Sequence, residues 1–307
     1  MLWSASALPD LSRRTALVTG ANSGIGKYTA LGLAKAGADV IMACRNLDTA
    51  QKACSEIIEH GVDEGRLSIE HLDLASLANT RALADRIGRR CDRLDLLINN
   101  AGISASSLQR TEDGLESMIQ VNYLAHVALT MDLLPLLAHS DQARVVSLAS
   151  VAHFTLGALD IDDLNHQKRR FHNLTAYGQS KIAQLIFARE LGRRLERVNL
   201  PVLSVAAHPG FSRTEIFDRS SDAMGLAARL TALYSQSAEA GAGPILRAAT
   251  DAQARNGDYF GPLFGLVGPA VKTYSLPQSS DPATGKALWD RSFELLGMQE
   301  PAILDRA

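Results

Sequence analysis

Cysteine is scarce: Cys44, Cys54 and Cys91 are the only three in 307 residues. No CxxC spacing joins them, which excludes a disulfide framework and a thiolate metal site. That usage suits a reducing compartment, and a cytoplasmic location is expected. Long apolar runs are missing too. Nothing approaches the roughly 18 residues of a spanning helix, so no membrane insertion is expected. The start, MLWSASALPD, has no basic flank and reads as a lead-in arm over 1–12 rather than a targeting segment. Charge bias is absent, with 31 basic against 33 acidic residues and a formal net charge of −2. That balance leaves no electrostatic footprint for nucleic acid and points to a small-molecule partner. Repeats, low-complexity tracts and Pro/Ser-rich linkers are also missing, so one domain over 1–307 is expected. Asn173-Leu174-Thr175 matches a glycosylation sequon, but without a secretory signal it reads as a chance match.

What the chain does have is an alternation of short apolar runs with longer segments of helical period. Ala16-Leu17-Val18 precedes a helix from about Ile25, and Val40 to Ala43 precedes one from about Asp48. Leu67 to Leu72, Leu94 to Ile98, Arg144 to Leu148 and Pro201 to Ala206 continue the series. Helix-length connections between strands predict an α/β fold with a doubly wound parallel sheet of Rossmann type. Asp48 and Ser76 stand where helix N-caps are expected, and Gly37 where a helix should stop. Gly/Pro punctuation thickens over 257–269, before a last helix near Pro282 to Leu296.

Directly after the first strand comes Thr19-Gly20-Ala21-Asn22-Ser23-Gly24-Ile25-Gly26. Glycines allow a tight turn and let the backbone approach a diphosphate, whose charge then faces the positive N-terminus of the helix that follows. A cofactor site is therefore expected at Gly20, Asn22, Ser23, Gly24, Ile25 and Gly26. Dinucleotide sites that choose NAD place an acidic residue at the end of the second strand. Here that strand ends in Cys44-Arg45-Asn46, so a cation, Arg45, occupies the place, with Asn46 beside it. A guanidinium matches a 2′-phosphate, so NADP(H) is expected in preference to NAD(H).

From these residues the chain resembles the short-chain dehydrogenase/reductase family, and the match runs through nearly the whole length. Thr19 to Gly26 is similar to the family's TGxxxGxG loop, and Asn99-Asn100-Ala101-Gly102 to its NNAG motif. Asp73, followed by Leu74, resembles the residue placed by the adenine ring. The resemblance implies cofactor contacts at Asp73, Leu74, Asn99, Ala101 and Gly102, and at Pro209, Gly210 and Thr214, which resemble the PG motif and its threonine. It implies catalytic roles for Asn122, Ser150, Tyr177 and Lys181, with Tyr177 and Lys181 also binding the cofactor. Asn122 would hold a water in a proton relay, and Lys181 would bind the nicotinamide ribose.

The spacing of that last pair has its own physical reading. Residues i and i+4 share a helix face, so Lys181 can hold its ammonium beside the Tyr177 phenol and is expected to lower its pKa. Hydride transfer to a carbonyl leaves charge on oxygen, which needs a donor, Ser150, and a proton, from Tyr177. Each residue taken alone has an ordinary structural use, Ser150 as a cap, Asn122 as a helix polar group, Lys181 as a solvated charge. Their joint occurrence with the glycine loop carries the expectation.

Tyr177 follows Ser150 by 27 positions, a long interval. With Ser150-Val151-Ala152-His153 and Asp162-Asp163-Leu164-Asn165 it resembles the branch holding retinol dehydrogenases and light-dependent protochlorophyllide reductases. The inserted segment, 153–175, carries His153, His166, His172, Asp160, Asp162 and Asp163 without a compact ligand spacing. It reads as a loop of solvated polar residues with no metal, and Lys168-Arg169-Arg170 as a short charged face. Apolar residues over 211–235 fit a substrate flap or ordinary helix packing. The helices around Leu115 to Leu134 and Ala176 to Leu195 are those through which the resemblance implies a homodimer or homotetramer. The expected activity is interconversion of an alcohol with its aldehyde or ketone, as a carbonyl reductase for a lipophilic or cyclic substrate. Reduction of a conjugated C=C bond, epimerisation through a ketone, and a non-catalytic NADP redox sensor stand as alternatives.

Overall fold

A computed structural model describes residues 3–4, 8–155, 159–211 and 236–305. Eight strands form one sheet: β1 (Thr15–Thr19), β2 (Asp39–Cys44), β3 (Leu67–His71), β4 (Leu96–Asn99), β5 (Ala143–Leu148), β6 (Val202–Ala207), β7 (Tyr259–Pro262) and β8 (Ala270–Lys272). Their order is β3-β2-β1-β4-β5-β6-β7-β8. All neighbours run parallel except β7 and β8. The order reverses between β1 and β4, where Leu17 lies opposite Leu97, and ligands of such sheets bind beyond the strand ends at that crevice.

The central strands are largely apolar because both faces are covered, whereas the edge strand β3 carries Ser68, Glu70 and His71. One layer holds α1 (Gly24–Lys35), α2 (Leu47–Glu59) and α7 (Ala238–Thr250). The other holds α3 (Leu77–Arg90), α5 (Ala125–Leu137), α6 (Asn173–Arg197) and α8 (Pro282–Leu296). Neighbours on one strand divide between the layers: Ala16 and Val18 join the first, Leu17 the second. A short α4 (Ser117–Ile119) and a π-helical segment, Gln120–Leu124, lead into α5.

The expected elements are present with three corrections. The α2 cap is Asn46, whose side chain accepts from the Thr49 amide at 3.0 Å, and Asp48 lies in the first turn instead. Ser76 does cap α3, and Gly37 ends α1 at φ +100. Second, β7 and β8 were not foreseen within the glycine- and proline-rich stretch. Gly261 in β7 is there because a Cβ would lie 2.0 Å from His208 Nε2.

Third, the inserted segment is not a loop of solvated polar side chains. The buried Asp163 carboxylate accepts from the backbone amides of Gln167, Lys168 and Arg169, at 2.6, 3.1 and 3.0 Å. Arg110 clamps the carbonyls of Asn165 and His166, and Arg169 pairs with Asp160 and Asp163. Asn173 of the sequon opens α6, and its amide nitrogen donates to Ser104 Oγ at 3.3 Å.

The helices through which oligomerisation was expected are packed inside the chain. Trp289 of α8 stacks on Phe187 of α6 with centroids 5.9 Å apart, and Ser292 bonds the Tyr123 hydroxyl at 2.7 Å. Most of α5 and of the first half of α6 is buried within the chain.

Candidate active site

The glycine loop leaves β1 and enters α1 with Gly20 at φ +67 and Gly24 at φ +51, left-handed conformations that favour glycine. Gly26 has no room for a side chain, since a Cβ would lie 2.2 Å from the Gly20 carbonyl oxygen. Ser23 caps α1 without a side-chain hydrogen bond, and no acidic residue occupies the first turn. The amides at that helix end are therefore left for an anion, which is the fit a diphosphate requires. Beneath the loop the Cys44 thiol is held by the amides of Ala21 and Asn22, and burial pushes it up to about 11. It is a packing group rather than a nucleophile.

Asn22 bonds Thr49 at 3.1 Å, which ties the loop to the first turn of α2, and Arg45 is exposed between β2 and the Asn46 cap. Asp73 caps its own turn through the Ala75 amide at 2.9 Å, and Leu74 next to it is buried. Thr19 accepts from the amides of both Asn100 and Ala101 at 2.9 Å, which fixes the chain after β4 against the glycine loop. Asn99 is turned the other way, into the core, where it donates to Thr130 at 2.9 Å.

Asn122 sits within the π-helical segment, a backbone distortion common at functional sites. Its side chain accepts from the Ile103 amide at 2.7 Å and donates to the Ile103 carbonyl at 3.0 Å. Lys181 and Tyr177 lie on one face of α6, with the ammonium 5.8 Å from the phenol ring centroid and bonded to the Leu148 carbonyl at 3.1 Å. A Cβ at Gly102 would be 3.3 Å from both Asn122 Oδ1 and Lys181 Nζ, so β4, the π segment and α6 converge there. Ser150 follows β5 and hydrogen-bonds the Tyr177 side chain. Ser150, Tyr177, Lys181 and Asn122 thus meet at the carboxyl ends of β4 and β5.

The expectation for the tyrosine needs correcting. Burial raises the Tyr177 phenol above its usual value, and only the Ser150 hydrogen bond works the other way. Lys181 is itself held below its usual range, at about 8, by burial. Its ammonium is spent on a carbonyl rather than on the phenol, which explains why no lowering results.

His208 accepts from the Gly210 amide at 3.2 Å and its ring lies against Tyr259. Gly210 has φ +71, and a Cβ would lie 2.2 Å from the Leu266 carbonyl oxygen. Pro209 accepts from Gln236, whose amide also bonds the Phe211 carbonyl at 3.0 Å. Thr214 and the expected flap, beyond Phe211, lie outside the described residues.

Sequence reasoning missed several buried polar residues around the site. His126, Gln184, Ser180 and Thr130 are mid-helix groups with no spacing to distinguish them. His153 was singled out for another reason, and its ring bonds the Ser150 carbonyl at 2.5 Å.

These histidines give a pH signature. Burial holds His126 and His208 at about 3 and His166 at about 4. A lowered histidine is protonated in the unfolded chain near pH 6.5 and resists protonation when folded. Its contribution is complete above that pH and is lost as pH falls toward the folded values. Glu116 and Asp132, raised by burial, work against this. A net loss on the order of several kcal/mol is expected between pH 7 and 5, with Tm falling by roughly 10 °C. Calorimetry showing a flat Tm over that range would contradict these assignments.

The family model described as short chain dehydrogenase matches residues 14–160. Retinol dehydrogenase 13 of Homo sapiens is 37% identical over 301 residues, covering 95% of this chain and 87% of the relative. Retinol dehydrogenase 12 of Mus musculus is 37% identical, covering 93% and 87%. A crystal structure of an uncharacterized protein from Mycobacterium Paratuberculosis has a TM-score of 0.82 at 37% identity, covering 98% of this chain and 100% of that one. The Pseudomonas aeruginosa RhlG/NADP active-site complex has a TM-score of 0.65 at 27% identity, covering 82% and 95%. No described helix is long and apolar enough to cross a membrane. With this sheet order, this glycine loop and these relatives, the chain belongs to the short-chain dehydrogenase/reductase family of oxidoreductases, on the branch of the retinol dehydrogenases.

Proposed function

We propose that the chain is an NADP(H)-dependent oxidoreductase that interconverts a lipophilic or cyclic alcohol with its aldehyde or ketone. The observation that carries the reading is the meeting of Ser150, Tyr177, Lys181 and Asn122 beside an uncapped helix N-terminus. Gly20, Asn22, Ser23, Gly24, Ile25 and Gly26 would hold the diphosphate, Arg45 the 2′-phosphate, and Asp73, Leu74, Ala101, Gly102, Pro209, Gly210 and Thr214 the remaining parts. A bound nicotinamide dinucleotide supplies the hydride chemistry.

The chain's own residues handle the oxygen and the proton. Tyr177, with its pKa raised, stays protonated at neutral pH and can donate to a carbonyl oxygen. Ser150 stabilises the charge that gathers on that oxygen and the phenolate left behind. Lys181 is charged below about 8 and, with its ammonium on the Leu148 carbonyl, would bind the nicotinamide ribose. Asn122, locked to Ile103, holds the relay position next to Lys181.

Purified protein should oxidise NADPH with aldehydes, cyclic ketones and retinal, the carbonyl counterpart of the alcohol in the relatives' names, and do so faster than with NADH. Cofactor binding without turnover on any carbonyl would favour a redox sensor.

A further inference from the structure

Between the glycine loop and α6 lies a chain of fully buried side chains that the reaction just described does not use. Gln184, one helical turn after Lys181, donates from Nε2 to the Asn122 carbonyl at 2.5 Å and contacts His126 Nδ1 at 3.0 Å. His126 Nε2 lies 3.0 Å from Thr19 Oγ1, the same oxygen that takes the amides of Asn100 and Ala101. His126 Nδ1 also lies 3.4 Å from the Asn122 carbonyl, so the imidazole, the Gln184 amide and that carbonyl meet at one point. Thr19 Oγ1 already accepts two amides, so its own proton is left for His126 Nε2 at 3.0 Å or the Ile98 carbonyl at 3.3 Å. Turning the Gln184 amide over would set its oxygen against a carbonyl oxygen; Oε1 instead has no partner among the described residues.

A helix core can be filled with leucine at far lower risk, because each polar group buried here must find its partner or cost free energy. The arrangement therefore needs a use, and its ends supply one. One end is the residue that fixes the glycine loop to the chain after β4. The other is the backbone carbonyl of Asn122, in a π turn whose wider ladder is less restrained than an α-helix. Between them stands α6, which carries Tyr177 and Lys181.

We infer that His126 and Gln184 are positioning residues: as a neutral, single-tautomer pair they lock the Asn122 turn and the Tyr177–Lys181 helix in register with the cofactor loop. The inference rests on the proposed reaction, because register has value only if those groups act together. Neither residue touches substrate. Loss of the pair should loosen the alignment of the proton path while leaving the diphosphate cradle intact.

The test uses Gln184→Met, which keeps volume and removes the bond to the Asn122 carbonyl and the polar contact with His126, with His126→Leu and the double variant. Turnover of the wild-type chain is measured first, and its absence would overturn the proposed function and this inference with it. Given wild-type turnover, Gln184→Met should lower kcat about tenfold, as expected for one lost buried hydrogen bond. KM and the Kd for NADPH should stay within about twofold, and the double variant should lose no more than either single one. Unchanged kcat in a folded variant, or a cofactor Kd that weakens in step with kcat, would overturn the positioning role. Should the variants not fold, nitrogen-15 NMR of wild-type histidine side chains decides: a His126 ring that stays neutral and in one tautomer from pH 7 to 5 is expected, and a ring that protonates or averages between tautomers in that range would overturn it.

Discussion

Replacing Tyr177 by phenylalanine should lower kcat by about 10²–10⁴-fold, the range a positioned general acid supplies. Packing should survive, because the ring is buried and phenylalanine keeps its volume; only the hydroxyl and its bond to Ser150 are lost. The Kd for NADPH should change by no more than a few-fold. The raised pKa of the phenol adds a direction to this expectation. A phenol held protonated donates readily in reduction, whereas oxidation needs the phenolate and should gain rate as pH rises. Ser150 favours the phenolate, so Ser150→Ala should shift the oxidation profile further toward alkaline pH. A Tyr177→Phe variant that binds NADPH and keeps more than a tenth of its turnover would remove Tyr177 from the acid role.

Arg45→Asp should reverse the cofactor preference, changing the ratio of NADPH to NADH efficiency by about a hundredfold or more. Two effects add. A charge-assisted contact to a phosphate dianion disappears, and a carboxylate that repels the dianion while accepting from a ribose hydroxyl replaces it. Arg45 is exposed, and the α2 cap belongs to Asn46, so neither stability nor the glycine loop should suffer. Measuring kcat/KM with both cofactors on one carbonyl substrate gives the ratio. An unchanged ratio would transfer 2′-phosphate recognition to some other group.

Much of this site was legible in the chain because its chemistry is tied to short spacings. The glycine loop sits between a strand and a helix, and Tyr177 and Lys181 are four apart on a helix; both read directly. Six strands were legible because burial on two faces makes the central ones largely apolar. β7 and β8 were not, since four and three residues, with Gly261 and Pro262 among them, carry turn chemistry, and only pairing of β7 with β6 and of β8 with β7 makes them strands. Asn46 and Asp48 are both good caps, and the choice depends on where β2 ends. Asp163 looked like solvent-facing charge, yet its amide partners come from a fold of the chain that no periodicity encodes. His126 and Gln184 lie 58 residues apart, and their contact exists only after α5 and α6 pack together. The direction of the Tyr177 shift depended on how deep the ring sits and on the carbonyl that holds Lys181.

The most direct test of the account follows the hydride itself. Purified protein is incubated with NADPH deuterated at the transferable position and a carbonyl substrate with a conjugated double bond, such as retinal, and the product is examined by mass spectrometry and NMR. Deuterium on the carbinol carbon of an alcohol, with the double bonds intact and no label when Tyr177→Phe replaces the wild type, is the predicted result. Label on a former alkene carbon, or none in the product while NADPH remains bound, would contradict alcohol–carbonyl interconversion.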